Sequence, residues 1–403
     1  MRTMLPQYMR QFTCTGPECE DTCCAGWSIL VDKNTYKSYQ KVSEPTLKQR
    51  LRQNVKRIEG SSSDLNYAVM KLDGNGKCAF LSEDKLCSIQ ATLGESYLSP
   101  TCANYPRTIN IVDDTIEQSA RMSCPETARL ALLNPNPMEF DIVDSDRKYK
   151  ATNHQVRTTS IDTIENYFWD IRIFVISLLQ NRTYKLNDRM MILGLFCEKL
   201  DGIISSNKTA LIPSLIEEFK GSIANNSFAS ILKQTPQAHH ISMHLLSKMI
   251  ELRSGKGQLA ARYKVLLDEV IRGFELGSND TEYILRRYKE GLEIVFAPIL
   301  NEHEYIFENY IVNYVFESLF LYKKGLSPFQ NYIQLVSFLS IMKFHIVGRG
   351  LERGTVSPED CVNIIQILCR SLEHNEGFLK QLVSFVEELK LNPLALMVIL
   401  LKN

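Results

Sequence analysis

Along the second half of the chain, apolar residues recur at helical spacing. Ile311, Val312, Val315, Phe316, Leu319 and Phe320 fall on one side of such a helix. Cys361, Ile364, Ile365, Leu368, Cys369 and Leu372 repeat the stripe of a buried helical face. Ser357-Pro358-Glu359-Asp360 places an N-cap and a first-turn proline just before that stripe. The pattern predicts about ten helices after a polar linker at 141–160. Turns are expected at Ser254-Gly255-Lys256-Gly257, Gly277-Ser278-Asn279-Asp280 and Gly325-Leu326-Ser327-Pro328. No fixed period recurs, so a regular solenoid is not expected.

The first part of the chain has a different texture. Turn residues interrupt it at Thr15-Gly16-Pro17, Ser61-Ser62-Ser63-Asp64, Asp73-Gly74-Asn75-Gly76 and Asn134-Pro135-Asn136-Pro137. Short helices are expected between Asn34 and Lys56 and after Pro125. Short strands are expected near Trp27 to Val31 and at Thr108 to Val112, the latter rich in β-branched residues. The expected fold is mostly α: a small irregular α+β, cysteine-rich domain over 1–145, followed by an all-helical domain over 146–403.

Composition adds limits rather than a direction. With 44% hydrophobic and 23% charged residues, the 403-residue chain has enough apolar material for a buried core. Its formal net charge of zero gives no global field toward nucleic acid or an anionic membrane. Met1 to Phe12 lacks the apolar stretch of a secretory signal. The longest apolar run, Leu394 to Leu401, is far short of the roughly 20 residues that span a bilayer. A cytoplasmic protein with no membrane insertion and no nucleic-acid partner is expected.

The cysteines change the picture. Eight of eleven lie in the first 124 residues: Cys14, Cys19, Cys23, Cys24, Cys78, Cys87, Cys102 and Cys124. A cytosolic chain has little use for stable disulfides, and clustered thiols there more often bind metal or react. Four thiolates can hold a structural zinc ion or a [4Fe–4S] cluster. Eight exceed one site, so one centre and two centres are both open. The paired C-x2-C knuckles of a zinc ribbon, the ferredoxin run and the triplet of a radical enzyme using S-adenosylmethionine are all absent. Cys197, Cys361 and Cys369 sit on apolar helical stripes and read as core residues. His240 and His244 have i, i+4 spacing but no obvious carboxylate partner, so they read as ordinary surface or core residues. Side chains adjacent in sequence diverge, so Cys23 and Cys24 are expected to differ in role, one ligating while the other packs or reacts.

These cysteines carry a resemblance. Phe12-x-Cys14, Cys19-Glu20-Asp21-Thr22-Cys23-Cys24-x-Gly26-Trp27, Cys78-x-Phe80-Leu81, Leu86-Cys87-x-Ile89-Gln90, Cys102-x-x-Tyr105-Pro106-Arg107 and Ser123-Cys124-Pro125-Glu126 resemble the flagellin lysine-N-methylases. That family falls within the CxxCxxCC-type zinc- or iron-chelating proteins. The first cluster here has longer spacings than the family pattern. The resemblance implies methyl transfer from S-adenosylmethionine to lysine side chains of flagellin, with an iron–sulfur centre involved. The eight early cysteines are then the candidate metal ligands, and the helical domain is expected to bind the protein substrate.

The chemistry requires a neutral amine, whereas free lysine has a pKa of about 10.4. The site must therefore favour the uncharged form by desolvation or an adjacent base. A glycine-rich cofactor turn opening a βαβ unit is missing, and Asp73-Gly74-Asn75-Gly76 reads as a hairpin turn. Cofactor binding near the centre is expected instead. Cys23 and Cys24 are candidate catalytic residues, since a low-pKa thiolate there can carry a methyl group. Tyr105 is the third. Trp27 and Tyr97 are candidate cofactor-binding residues, because their rings, like that of Tyr105, can face a sulfonium or ammonium. Arg107 is a candidate for a carboxylate. Two rival readings stand beside the enzyme: a non-enzymatic metal-binding or redox protein, and a structural zinc module on a helical interaction scaffold.

Overall fold

The computed structural model describes residues 2–60, 63–147, 149–233, 238–254, 259–323 and 325–403. The chain forms two compact units, each built from two stretches of sequence. One comprises Met1–Thr127 and Asp141–Gln155, the other Ala128–Phe140 and Val156–Asn403. The molecule is mostly α-helical.

The first unit contains two small sheets. Its eight strands are β1 (Arg2–Pro6), β2 (Leu30–Val31), β3 (Val55–Arg57), β4 (Ala68–Met70), β5 (Arg107–Val112), β6 (Thr115–Ala120), β7 (Phe140–Asp144) and β8 (His154–Val156). The larger sheet runs β7-β1-β6-β5-β8, and the smaller runs β2-β4-β3. β5 and β6 form an antiparallel hairpin pairing Arg107 with Ala120 through Val112 with Thr115, while β1 lies parallel to β6. The β-branched stretch Thr108 to Val112 is thus a strand, as its composition predicts. Helices Lys33–Gln40 and Pro45–Asn54 begin at Asp32 and Glu44, whose carboxylates accept from backbone N–H groups of the first turn. Their apolar faces bury Tyr39, Leu47 and Leu51.

The stretch expected to be a polar linker is corrected by the structure, because it carries β7 and β8 at the two edges of the larger sheet. Edge strands are short and polar for a physical reason: water faces one side, and charge discourages pairing with another chain. Asp73-Gly74-Asn75-Gly76 is a tight reversal. Asp73 Oδ1 accepts from the N–H groups of Asn75 (2.8 Å) and Lys77 (2.9 Å), and Leu72 then pairs with Cys78.

The second unit contains thirteen α-helices among the described residues, where periodicity suggests about ten. The excess comes from local breaks. One is the π-helical turn Leu292–Phe296 between helices Thr281–Gly291 and Ala297–His303. Helix Tyr305–Glu317 also stops short of the predicted stripe, since Leu319 has a left-handed backbone with φ 51°. Leu319 and Phe320 are nonetheless buried. The longest helix, Pro328–Arg353, opens with a reciprocal Ser327–Gln330 capping box and closes on Gly354 at φ +81°. Helix Pro358–Leu368 opens on the Ser357-Pro358 cap that the sequence predicts, and its stripe from Cys361 to Leu372 is buried. The turns at Gly277 to Asp280 and Gly325 to Pro328 precede helices as expected. Gly255, Lys256 and Gly257, like Ser61 and Ser62, lie outside the described residues.

The buried Arg189 in this unit is paired with carboxylates. Arg189 is fully shielded and donates to Glu308 Oε2 at 2.6 Å and to Glu304, while Arg182 reaches Glu308 Oε1 at 2.8 Å. Among the described residues, no helix is long and apolar enough to cross a membrane.

Candidate metal centre

The eight early cysteines come from five parts of the first unit, and among the described residues none of them forms a disulfide. Cys19 follows the 3-10 turn Gly16–Glu18, its N–H donating to Gly16 O at 3.2 Å. Cys78 is placed by the hairpin return, and its N–H donates to Cys24 O at 2.8 Å. Cys87 pairs with Leu81 and caps helix Ser88–Leu93. Cys102 lies on the short helix Pro100–Asn104, which Ser99 caps. Cys124 precedes helix Pro125–Leu132.

Four of these thiols gather. Cys23, Cys78 and Cys87 all act electrostatically on Cys102, and Cys23 and Cys87 act on Cys78. Burial pushes the Cys102 thiol up to about 12 and raises Cys78, and the neighbouring thiols push the same way. Cys19 and Cys124 form a second neighbourhood: each is raised by burial, Cys19 acts on Cys124, and Cys23 acts on Cys19. Cys14 is exposed and acts on Arg107. Cys23 and Cys24 do diverge: Cys23 is exposed, whereas Cys24 packs against the core of the smaller sheet.

Among the described residues, no three His, Cys, Asp or Glu side chains stand close enough together to hold one metal ion. A tetrahedral zinc site would need its sulfurs only about 3.8 Å apart, from a Zn–S bond of about 2.3 Å. A multinuclear cluster spreads its thiolate ligands over a wider span. Two observations test whether the quartet suits such a group. First, neighbouring thiolates repel one another, and a bound cation would offset that repulsion. Second, Tyr39, 1% exposed, has a buried hydroxyl with no hydrogen-bond partner among the described residues, and Cys102, Cys87, Asp32 and Cys78 all act on it. The Tyr263, Tyr322 and Tyr332 hydroxyls of the helical unit are buried and unpartnered in the same way, so this one does not by itself mark a ligand. By its chemistry a thiol set suits zinc or an iron–sulfur cluster, while no group of three among the described residues is arranged to hold a metal ion. Sequence reasoning missed Tyr39, because a lone tyrosine on an amphipathic helix carries no spacing signal.

The candidate aromatic residues lie beside the cysteines. Trp27 Nε1 donates to Cys23 O at 2.6 Å, and the Trp27 and Tyr105 rings are 5.4 Å apart. The Tyr105 hydroxyl is 3.1 Å from Ser123 Oγ. Tyr97 packs against the core of the smaller sheet. The Arg107 guanidinium lies 5.0 Å from the centre of the Phe12 ring, and burial and Arg147 lower its pKa. Elsewhere, Cys197, Cys361 and Cys369 are fully buried, and His240 and His244 are exposed on helix His239–Ser254.

Comparison with known proteins gives this centre its context. The family model of the FliB lysine N-methylase C-terminal domain matches residues 172–400. A match over more than half the chain, within the helical unit, defines the class: a protein-lysine N-methyltransferase. The chain belongs to the FliB lysine N-methylase family. It is similar to the Lysine-N-methylase of Salmonella typhimurium, 22% identical over 399 residues, covering 96% of this chain and 95% of that protein. The Lysine-N-methylase of Salmonella choleraesuis matches over the same share at 22% identity. The Flagellar biosynthetic protein FliU of Salmonella muenchen is 34% identical over 134 residues, 33% of this chain and 78% of that protein. No solved structure matches the chain. The non-enzymatic readings give way to a methyltransferase.

Proposed function

We propose that this enzyme transfers a methyl group from S-adenosylmethionine to lysine side chains of flagellin, and that Cys23, Cys78, Cys87 and Cys102 hold a [4Fe–4S] cluster. The observation that carries the cluster assignment is the gathering of these four thiols, from four chain segments, near an orphaned buried hydroxyl. Zinc on the same thiols is the alternative. An iron–sulfur cluster supplies electron transfer or a Lewis-acidic iron when bound. The flagellar name of one relative supports flagellin as the substrate. We assign the centre to 1–145 and recognition of the protein substrate to the helical part, 146–403. The lack of disulfides among the described cysteines supports a reducing, cytoplasmic setting.

In the transfer, the lysine nitrogen lone pair attacks the sulfonium methyl carbon. The N–C bond forms as the C–S bond breaks, the amine loses a proton, and S-adenosylhomocysteine leaves. The adjoining rings of Trp27 and Tyr105 offer a face for the sulfonium or the incoming ammonium. Arg107, part-buried beside Phe12, is placed to receive a carboxylate. A thiolate carrier at Cys23 or Cys24 is the second route, and with Cys23 assigned as a ligand that role falls to Cys24.

The test is anaerobic purification with iron and sulfide analysis, followed by incubation with methyl-labelled S-adenosylmethionine and flagellin. Iron with acid-labile sulfide, and label on lysine, are expected. Zinc alone would defeat the cluster assignment, and an intact centre with no label on lysine would defeat the substrate assignment. Full activity in Cys23→Ser and Cys24→Ser single variants would remove the carrier route.

A further inference from the structure

Three helices of the second unit, Ala261–Phe274, Pro328–Arg353 and Pro358–Leu368, border an open cleft of about 290 Å³. Arg349 lines it, although its side chain is only 10% exposed. An arginine so far removed from water needs its charge matched and its donors met. Here both are incomplete. Glu269 Oε2 lies 3.1 Å from Arg349 Nε but out of line for a hydrogen bond. The same carboxylate is shared with Arg353, whose Nη2 is 2.5 Å from Oε1. Arg349 Nη1 donates to Asn363 Oδ1 at 3.1 Å, and Nη2 meets no acceptor among the described residues. The charged side chains lining the cleft are two arginines, Arg349 and Arg262, and the one glutamate, Glu269. Val265, Leu266 and Ile367 supply an apolar wall, and Val265 is 61% exposed, so water reaches the mouth. The cleft thus joins a buried, under-matched cation to an accessible apolar surface.

We propose that this cleft receives an aspartate or glutamate side chain of the protein substrate, its carboxylate on Arg349 and its methylene groups on Val265, Leu266 and Ile367. The proposal rests on the reading above that the helical part recognises a protein carrying the target lysine. Charge selects the occupant: the lining holds one cation in excess, which a carboxylate balances and a doubly charged phosphate overshoots. A guanidinium is also the group best shaped to donate to a carboxylate. The apolar wall favours a side chain with methylene groups over a free hydrated anion. All of the lining residues fall within 172–400, the stretch matched by the FliB lysine N-methylase domain. A carboxylate held here takes no part in the methyl transfer. It is held equally before and during the reaction, so the contact belongs in KM and not in kcat.

The experiment assays the full-length enzyme, purified with its centre intact, using methyl-labelled S-adenosylmethionine. The acceptors are native flagellin and flagellin whose carboxylates have been amidated with carbodiimide and glycinamide. Arg349→Gln and Val265→Glu are compared with wild type and with Arg286→Gln, a control whose guanidinium lies over the Tyr283 ring away from the cleft. Arg349→Gln should raise KM for native flagellin about tenfold or more, the size of a lost charge-assisted hydrogen bond. Its kcat should stay within about twofold of wild type. Val265→Glu should raise KM in the same way, by setting a rival carboxylate at Arg349, and its exposed position spares the core. Amidated flagellin should show a raised KM with wild type and no further rise with Arg349→Gln. Arg286→Gln should match wild type. An unchanged KM in Val265→Glu overturns the proposal, whatever Arg349→Gln does to folding. So does amidation that costs wild type and Arg349→Gln equally. A KM that stays constant while Val265→Glu alters the mass by light scattering gives the cleft to a second copy of the chain, and likewise overturns it. Wild type with an intact centre that leaves flagellin lysine unlabelled fails the substrate assignment itself, and this proposal with it.

Discussion

Cys102 is half-buried and Cys197 fully buried, and their neighbours differ in chemistry. Cys102 faces other thiols, and burial pushes it up to about 12, so its ionised form awaits a cation. Cys197 is fully buried on helix Leu186–Ser205 among apolar side chains, where a thiol is a small hydrophobe. Cys102→Ser should therefore abolish or sharply reduce bound iron. Cys197→Ser should keep wild-type iron and cost about 1–3 kcal/mol of stability through a buried hydroxyl. Equal iron loss in both variants, by metal analysis of purified protein, would sink this distinction. His345 gives a residue-scale pH effect. It is fully buried in helix Pro328–Arg353, with Nδ1 2.8 Å from Ile341 O, and burial lowers its pKa from 6.5 to about 4. The unfolded histidine takes up a proton near pH 6.5 while the folded one does not until about pH 4. Stability is thus fully present above pH 6.5 and lost as pH falls, by roughly 3 kcal/mol at most. Urea midpoints measured from pH 7 to 4 should fall in wild type and fall less steeply in His345→Leu. An unchanged slope in the variant would show that other groups dominate the acid loss.

At the level of elements, close contact between two helices organises the second unit. Helices Ala261–Phe274 and Pro328–Arg353 meet at paired glycines. A Cβ on Gly273 would lie 1.9 Å from Gly348 O, and one on Gly348 would lie 2.8 Å from Val270 Cγ1 and Phe274 Cε2. The first obstacle is backbone, which cannot rotate away. Gly273→Ala should push the helices apart and destabilise the protein by about 1–3 kcal/mol or more, despite the better helix propensity of alanine. Chemical denaturation measures this, and a neutral or stabilising result would contradict the crossing. Nothing in the local sequence marks either glycine, since a helix–helix contact is a long-range fact. The Cys361 stripe and its Ser357-Pro358 cap were legible because both are local, one a period and the other a terminus. β7 and β8 were not, because edge strands expose polar residues and blur the alternation that marks a strand. The end of helix Tyr305–Glu317 was hidden in a similar way, as Leu319 and Phe320 keep helical spacing although the chain has already turned.

Across the whole molecule, the centre and the family match fall on different stretches: the gathered thiols lie before residue 103, and the family model covers 172–400. The eight cysteines were visible in the sequence as a group. Which four gather was not, because that depends on the Asp73 reversal and the β2-β4-β3 sheet bringing distant segments together. Outside its sheets, the first unit relies on turns and short helices, and its thiols raise one another's pKa. The second unit has long, well-capped helices and paired buried charge. Metal binding to such a thiol set contributes folding free energy directly, whereas the helical core depends on packing. Removing the centre with a chelator and reductant should therefore act unevenly. Hydrogen exchange followed by mass spectrometry should show lost protection in peptides spanning Cys19 to Cys24 and Cys78 to Cys102. Peptides from helices Tyr305–Glu317 and Pro328–Arg353 should keep theirs. Equal loss in both units would mean that the centre supports the whole fold, and no loss in either would mean that the thiols pack as ordinary core residues.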